Sequence, residues 1–187
     1  TIGGSALSSL FDGQATRQFW LTNEVYRTKF RQVMSSQLMS MAFSPCDIWW
    51  VSPWATDFDL IDNRMGDWNS IEPSWGLRYV RFSEVIVKLM EAGCRIRMVT
   101  LSDDRTSIFV GQLSRQSPEA NNFQHIIKNE LHIKGMLTKD FWLKGSMNFT
   151  YRGTHINDEQ LDLIVSPSDI TKARLEYERT YGMFNNE

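Results

Sequence analysis

The stretch LHIKGMLTKDFWLKGSMNFTYRGTHINDEQLDLIV, residues 131 to 165, carries the polar side chains that decide how this chain folds and acts. Residues 131–138 and 141–149 are predicted to form two strands joined by a turn at 139–140. The two-residue period of a strand then puts His132 and Lys134 on one face, and it pairs Ser146 with Asn148. One hairpin would thus aim an imidazole, an ammonium, a hydroxyl and an amide at one point, as a tetrahedral anion requires.

The spacing of these residues resembles the signature of the phospholipase D superfamily, which reads H-x-K, four residues, D, then G-S-x-N and a later acidic residue. Residues 132–134 match H-x-K, residues 145–148 match G-S-x-N, and residues 157–159 match the N-x-E of the family's single-motif bacterial endonucleases. Lys139 stands where the family has its aspartate, which mainly shapes a turn, and Asp140 follows one place later. The resemblance implies an α/β, phospholipase D-like fold: a mixed β-sheet flanked by helices on both faces.

The resemblance also implies a mechanism. In the family, one histidine attacks phosphorus to form a phosphohistidine, and a second protonates the leaving oxygen and then activates water. Because this chain has one copy of the motif, both histidines would be His132, one from each chain of a homodimer with a composite site. By resemblance, Lys134, Ser146 and Asn148 would hold the non-bridging oxygens, and Glu159 would orient the imidazole. No metal or other cofactor is implied.

Outside the motif, residues 79–90 are predicted to form a helix ended near Gly93, and residues 48–51 and 95–101 to form strands. A second short helix is predicted at about 119–128. Ser168 is predicted to cap a C-terminal helix that Gly182 ends. These elements favour a mixed sheet covered by helices. The apolar positions of the two longer helices are Phe82, Val85, Ile86, Leu89 and Met90, then Ile170, Ala173, Tyr177 and Tyr181.

A narrower resemblance covers residues 48–182. The runs WWVSPWATDFDLIDNRMGDW (49–68), LHIKG (131–135) and GSMNFTYRG (145–153) are similar to phospholipase D-like proteins of bacterial clusters that install or restrict 7-deazapurine-modified DNA. This narrower resemblance implies a nuclease in DNA modification, restriction or phage defence. Its expected partners are nucleic acid, with DNA as the first choice, and other proteins of the cluster.

The size and composition of the chain favour one catalytic domain over residues 1–187, with a helical N-terminal extension at 1–40. With 187 residues, 42% of them hydrophobic, it closes one sizeable core and has little room for two. No apolar run is long enough to span a membrane, and a signal-peptide pattern is missing, so we expect a cytoplasmic protein. Cys46 and Cys94 precede predicted core strands and are expected to be buried thiols rather than a disulfide.

Five tryptophans and four aspartates lie between residues 49 and 75. Trp49 and Trp50 fall on a predicted strand and are expected in the core. Residues 53–76 are rich in Pro, Gly, Asn and Asp and are predicted to form a long loop, and such loops are often functional. Two interpretations stay open: a lid or wall of the substrate channel, and a packing arm at the dimer interface.

Charge is distributed unevenly along the chain. The net charge is −2, which gives no broad basic surface. Residues 124–153 hold five Lys and Arg against two acidic residues, or +3, whereas residues 154–187 hold three against seven, or −4. Positive charge therefore surrounds the candidate site. Tyr151 and Arg152, directly after the motif, either contact substrate or belong to a solvated loop.

Two rivals to a nuclease remain at this point. A lipid phosphodiesterase shares the chemistry but normally needs a membrane-seeking surface or an export signal, and the sequence has neither. A DNA-binding or scaffold subunit would keep the fold and the phosphate pocket with weak cleavage or none. The displaced aspartate and the acidic segment at 57–67 favour the scaffold slightly.

Overall fold

The computed structural model describes residues 15–182, which are built around a seven-stranded mixed sheet. Its strands are β1 (Thr16–Trp20), β2 (Asp47–Val51), β5 (Arg95–Leu101), β6 (Phe123–Lys128), β7 (Gly135–Leu137), β8 (Trp142–Gly145) and β9 (Gln160–Ile164). They follow the order β1-β9-β8-β7-β2-β5-β6, in which β2, β5 and β6 run parallel and all other neighbours run antiparallel. A separate two-stranded sheet pairs β3 (Asp59–Asp62) with β4 (Tyr79–Arg81).

Helices cover both faces of the large sheet, as the sequence predicted. One face packs against three helices: α1 (Glu24–Ser40), α2 (Phe82–Glu91) and α3 (Asp104–Gln116). The other face packs against α5 (Pro167–Tyr181), and a short α4 (Tyr151–His155) lies between β8 and β9. The two neighbouring indoles of β2 divide between these cores, because successive side chains of a strand point to opposite faces. Trp50 packs with Phe82 and Phe109, and Trp49 with Tyr177 and Tyr181.

Several predicted elements are confirmed. All five apolar positions of the first predicted helix are buried in α2, and Gly93 follows this helix with a φ of 100°. Such a left-handed conformation suits glycine, because it has no Cβ to clash. Strand β5 has the predicted bounds, and β2 begins one residue earlier than predicted. The four predicted apolar positions of α5 are likewise buried.

Other elements differ from the prediction. The prediction of a short helix at 119–128 is wrong, since Phe123–Lys128 is an edge strand paired with β5. Helix α3 was not predicted, although Asp103 caps it by accepting from the Thr106 N–H at 2.9 Å. Helix α5 is capped by Ser166 rather than Ser168, because the Ser166 hydroxyl accepts from the Asp169 N–H.

The segment predicted as a long loop contains ordered structure. Strand β3 lies within it, a 3₁₀ turn spans Pro73–Trp75, and β4 occupies the start of the predicted first helix. Phe58 stacks on Phe82 with 4.7 Å between ring centroids, and Trp75 is buried. The segment is therefore anchored in the core on the α1–α3 face of the sheet.

The N-terminal part of the chain is not only helical. Residues 1–14 of the predicted extension lie outside the described residues, and β1 pairs with β9 before α1 begins. Cys46 and Cys94 are free thiols, as expected, with Cys94 fully buried and Cys46 half-buried. Within residues 15–182, no helix combines the length and apolar character needed to cross a membrane.

Candidate active site

The topology of the sheet brings four segments to one edge. Because β8 runs antiparallel to both β7 and β9, its last residue lies beside the first residues of those two strands. Strand β2 runs antiparallel to β7, so its carboxyl end reaches the same edge. The segments that flank these strand ends carry Ser52 after β2, Lys134 before β7, Ser146 after β8 and Glu159 before β9.

Four of the five predicted catalytic side chains line a single cleft of about 1050 Å³ at this edge: His132, Lys134, Ser146 and Asn148. The predicted strands are shorter than expected, since β7 begins at Gly135 and β8 ends at Gly145. His132 and Lys134 thus lie in an irregular segment before β7. The predicted side chains do line one cleft. For residues 132–134, however, an irregular segment brings them there rather than the alternation of side chains along a strand.

Ser146 and Glu159 form a bonded pair beside this cleft. The Ser146 hydroxyl donates to a Glu159 carboxylate oxygen and accepts from the Gln160 N–H at 3.0 Å. The second carboxylate oxygen accepts from the Asn157 amide at 3.3 Å. In the described chain Glu159 therefore contacts the hydroxyl of the G-S-x-N motif, not the imidazole of His132 that it was expected to orient.

Asn148 is held by residues on both sides of it. Met147 and Phe149 are buried, whereas Ser146 and Asn148 face outward, so the predicted alternation persists beyond the end of β8. The Phe149 N–H donates to the Ser52 hydroxyl at 3.2 Å, and that oxygen lies 3.5 Å from the Asn148 Oδ1 atom. Ser52 thus ties the carboxyl end of β2 to the motif, a role that the sequence did not reveal.

Two glycines allow this loop to pack. A Cβ atom added at Gly145, where φ is 156°, would lie 2.1 Å from the Gln160 carbonyl oxygen. One added at Gly153 in α4 would lie 2.2 Å from the Asn148 carbonyl oxygen. Both distances are far below van der Waals contact, so the glycine of G-S-x-N permits the close approach of β8 and β9 that positions Ser146.

Lys134 is partly withdrawn from water. Burial lowers the pKa of its ammonium group below the ordinary value of 10.5, and the negative charge of Glu159 opposes this shift. Its Nζ atom donates to the His132 carbonyl oxygen at 2.7 Å. The ammonium is therefore held at the cleft beside the segment that carries the imidazole.

The lowered pKa of Lys134 predicts how anion binding depends on pH. Since the ammonium loses its proton at a lower pH than a free lysine does, sulfate should bind less tightly at about pH 10 than at about pH 8. Lys134→Arg should remove most of this decline, because a guanidinium keeps its charge. Calorimetric titration with sulfate at the two pH values measures the decline in the wild type and in Lys134→Arg. The control is Lys139→Ala, at the far end of the hairpin, which should behave like the wild type.

The remaining predicted residues lie away from the cleft. Asp140 is in the turn at the opposite end of the β7–β8 hairpin, where the Thr138 hydroxyl accepts from the Asp140 and Phe141 N–H groups. Tyr151 lines a second cleft of about 610 Å³ and stacks on His155 with 4.6 Å between ring centroids. Arg152 is exposed on α4.

Most of the other residues that line the cleft were not predicted as site residues, among them Trp54, Lys144 and Lys172. Lys144 lies over the ring of Trp142, with its Nζ atom 4.5 Å from the centroid. Lys172 is exposed on α5, and its nearest carboxylate, that of Asp169, is 3.9 Å away. One signal in the sequence could have identified Trp54 as a site residue: it is an aromatic residue that follows shortly after a buried strand. Among residues 15–182, no group of three or more His, Cys, Asp or Glu side chains has a metal-binding arrangement.

Solved structures share this architecture. NucT from Helicobacter pylori matches with a TM-score of 0.56 at 15% identity, over 88% of this chain and 93% of NucT. Nuc from Salmonella typhimurium, a phospholipase D family member, matches with a TM-score of 0.56 at 12% identity, over 89% and 93%. TrmBL2, an archaeal chromatin protein with a novel mode of DNA binding, matches with 0.54 at 7% identity, over 94% and 56%. Neither a protein-family model nor a curated protein sequence matches the chain.

The likeness to Nuc establishes the fold class predicted from the motif, a phospholipase D-like fold. The likeness extends over most of both chains in each comparison. At such low identities the likeness shows the fold alone.

Proposed function

We propose that this protein is a metal-independent phosphodiesterase, a nuclease that acts through a phosphohistidine intermediate. The observation that carries the proposal is the convergence of His132, Lys134, Ser146 and Asn148 on one cleft of a phospholipase D-like fold. An imidazole with an ammonium, a hydroxyl and an amide supplies a nucleophile together with donors for the non-bridging oxygens.

The proposed reaction has two displacements at phosphorus. One His132 attacks, a P–N bond forms, and the P–O bond to the leaving oxygen breaks while the His132 of a second chain gives that oxygen a proton. Water then attacks phosphorus, loses its proton to the second imidazole, and breaks the P–N bond. Lys134 and Asn148 stabilise the charge on the non-bridging oxygens throughout.

We further propose that the substrate is DNA in bacterial modification, restriction or phage defence. This rests on the resemblance of the runs at 49–68, 131–135 and 145–153 to DpdK, the phospholipase D-like protein of 7-deazapurine clusters. Its action would be cytoplasmic, alongside other proteins of such a cluster. The lysines of the cleft, Lys134, Lys144 and Lys172, supply positive charge for a phosphate backbone.

Turnover of bis-p-nitrophenyl phosphate in EDTA tests the proposed chemistry. The imidazole and ammonium groups replace the metal of other phosphoryl-transfer enzymes, so we expect activity to persist at full chelation. Activity that disappears in EDTA and returns with a divalent cation would contradict the mechanism.

Glu159→Gln tests the proposed orienting role of Glu159. Glu159 bonds to Ser146 rather than to the His132 of its own chain, so the proposed role is exerted on the imidazole of the second chain. The substitution keeps the shape but removes the charge that stabilises that imidazolium, so turnover should fall and the pH–rate profile should shift. Ser146→Ala is the matched control, since it breaks the same Ser146–Glu159 bond and leaves the carboxylate. An identical effect of both changes on the profile would limit Glu159 to holding Ser146.

The second candidate function is a DNA-binding scaffold with little or no cleavage. Two observations favour it: Lys139 replaces the family's aspartate, and TrmBL2, with a related fold, is a chromatin protein. The EDTA assay separates the two, because a scaffold binds DNA without turning over a diester. A phospholipid phosphodiesterase would instead turn over phosphatidyl substrates.

A further inference from the structure

Trp54 is a large aromatic side chain exposed at the candidate active site. It is 46% exposed and lines the cleft together with His132, Lys134 and Asn148. An indole that stays in water does not gain the free energy that burial would supply. The two tryptophans that precede it, Trp49 and Trp50, are fully buried. A ligand that covers the ring would recover this free energy.

The backbone on both sides of Trp54 is fixed. Ser52 and Ala55 are fully buried, the Pro53 carbonyl accepts from the Leu101 N–H at 3.1 Å, and the Ala55 N–H donates to the Thr106 hydroxyl at 3.2 Å. The Trp54 carbonyl accepts from the Ser52 hydroxyl at 2.7 Å. The indole is thus presented from a rigid loop rather than from a mobile one.

The same hydroxyl connects Trp54 to the phosphate-binding side of the cleft. Ser52 Oγ lies 3.5 Å from the Asn148 amide oxygen and accepts from the Phe149 N–H. The buried residue Ser52 therefore contacts both the backbone that carries the indole of Trp54 and the segment that carries the phosphate donor Asn148. A ligand that carries a flat ring close to its phosphodiester would contact both.

The charges of the cleft are not sufficient by themselves to bind a nucleic acid tightly. Its lining holds three lysines against the acidic residues Asp169 and Glu176, so the electrostatic attraction for a polyanion is modest. Stacking of bases on aromatic side chains is the other main source of affinity for single strands, and it tolerates any sequence. In a duplex the neighbouring base pairs cover both faces of each base, so an unpaired base fits Trp54 better.

Building on the proposed function, we infer that Trp54 stacks on an unpaired base next to the scissile phosphate, which makes single-stranded nucleic acid the preferred substrate. Lys144 and Lys172, on β8 and α5, would contact the flanking phosphates. A lipid is the less suitable occupant, because charged side chains of both signs interrupt the apolar part of the cleft lining and an acyl chain needs a contiguous apolar surface.

Fluorescence anisotropy in the His132→Ala background tests the stacking without cleavage. The ligands are labelled oligothymidylate and a chain of the same length whose sugars are abasic. Trp54→Ala should weaken binding of oligothymidylate by about 5- to 150-fold and leave the abasic chain nearly unaffected. Trp54→Phe should keep most of the affinity. Phe43→Ala is the control, since Phe43 is a 75% exposed ring before β2, at the opposite end from Trp54.

Several outcomes would overturn the inference: equal losses for both ligands, no loss, or tighter binding of duplex than of single strand. Dissociation of Trp54→Ala into monomers would assign the indole to a chain–chain interface. Phosphatidylglycerol vesicles that bind better than oligothymidylate, and lose that binding in Trp54→Ala, would assign it to lipid. Failure of the proposed function looks different, because wild type would then bind oligothymidylate through Trp54 yet turn over no diester.

Discussion

Replacing His132 by alanine should lower phosphodiesterase turnover by ~10³-fold or more, because a catalytic nucleophile and the groups that support it fail together. The thermal unfolding transition should stay nearly unchanged. The imidazole of His132 is exposed, and the only bond of this residue that we find in the described chain is made by its backbone carbonyl, to Lys134. Turnover of bis-p-nitrophenyl phosphate and calorimetric melting measure the two effects.

His125→Asn is the control for the His132 prediction. His125 lies on β6 and its Nε2 atom is 2.8 Å from the Thr100 hydroxyl, so it has a structural contact and no place in the cleft. Because His125 lies outside the cleft, turnover should persist in His125→Asn. Comparable activity of His132→Ala and the wild type would refute the phosphohistidine mechanism.

The parts of the fold that the sequence predicted are those with a strong local signal. Helix α2 has an apolar position at every turn and a glycine after its end, so its period and its termination agree. Strand β5 lies between a glycine turn and a capped helix, and four of its seven residues are buried because the strand is paired on both sides, with β2 and β6. In both elements local preference and tertiary packing coincide.

The errors occur where the pairing partner decides the structure. Among the described strands β6 pairs with β5 alone, and its half-buried pattern resembles that of a short amphipathic helix. Strands β3 and β4 are distant in sequence, and neither has a clear period. Helix α3 has a usable signal in its sequence, because the capping residue Asp103 is followed by the apolar positions Phe109, Val110 and Leu113.

The candidate site was predicted by motif spacing rather than by local structure. Residues 132–134 reach the cleft from an irregular segment, and a strand was not required. Ser52 and Trp54 could not be identified from spacing, because they join the site only through the pairing of β2 with β7. The Ser146–Glu159 bond likewise depends on the register of β8 and β9.

The number of histidines in the cleft leads to the second large prediction. Two displacements at phosphorus need an attacking imidazole and a proton donor on the opposite side. Within residues 15–182, His132 is the one histidine that lines the cleft, since His125 bonds to Thr100 and His155 lines the second cleft. Glu159 bonds to Ser146 and leaves the imidazole of its own chain without a carboxylate. A second chain would supply the donor.

We therefore expect the active species to be a twofold dimer with one composite site, of about twice the 21.8 kDa chain mass by light scattering. Mixing wild type with a ninefold excess of His132→Ala under exchanging conditions should reduce activity per wild-type chain to about one tenth, because most wild-type chains then pair with a chain that lacks the second imidazole. An equal excess of His125→Asn should leave it unchanged. If activity followed dilution alone, or if a monomer were fully active, each chain would carry a complete site and the donor would have to be sought outside the residues of this cleft.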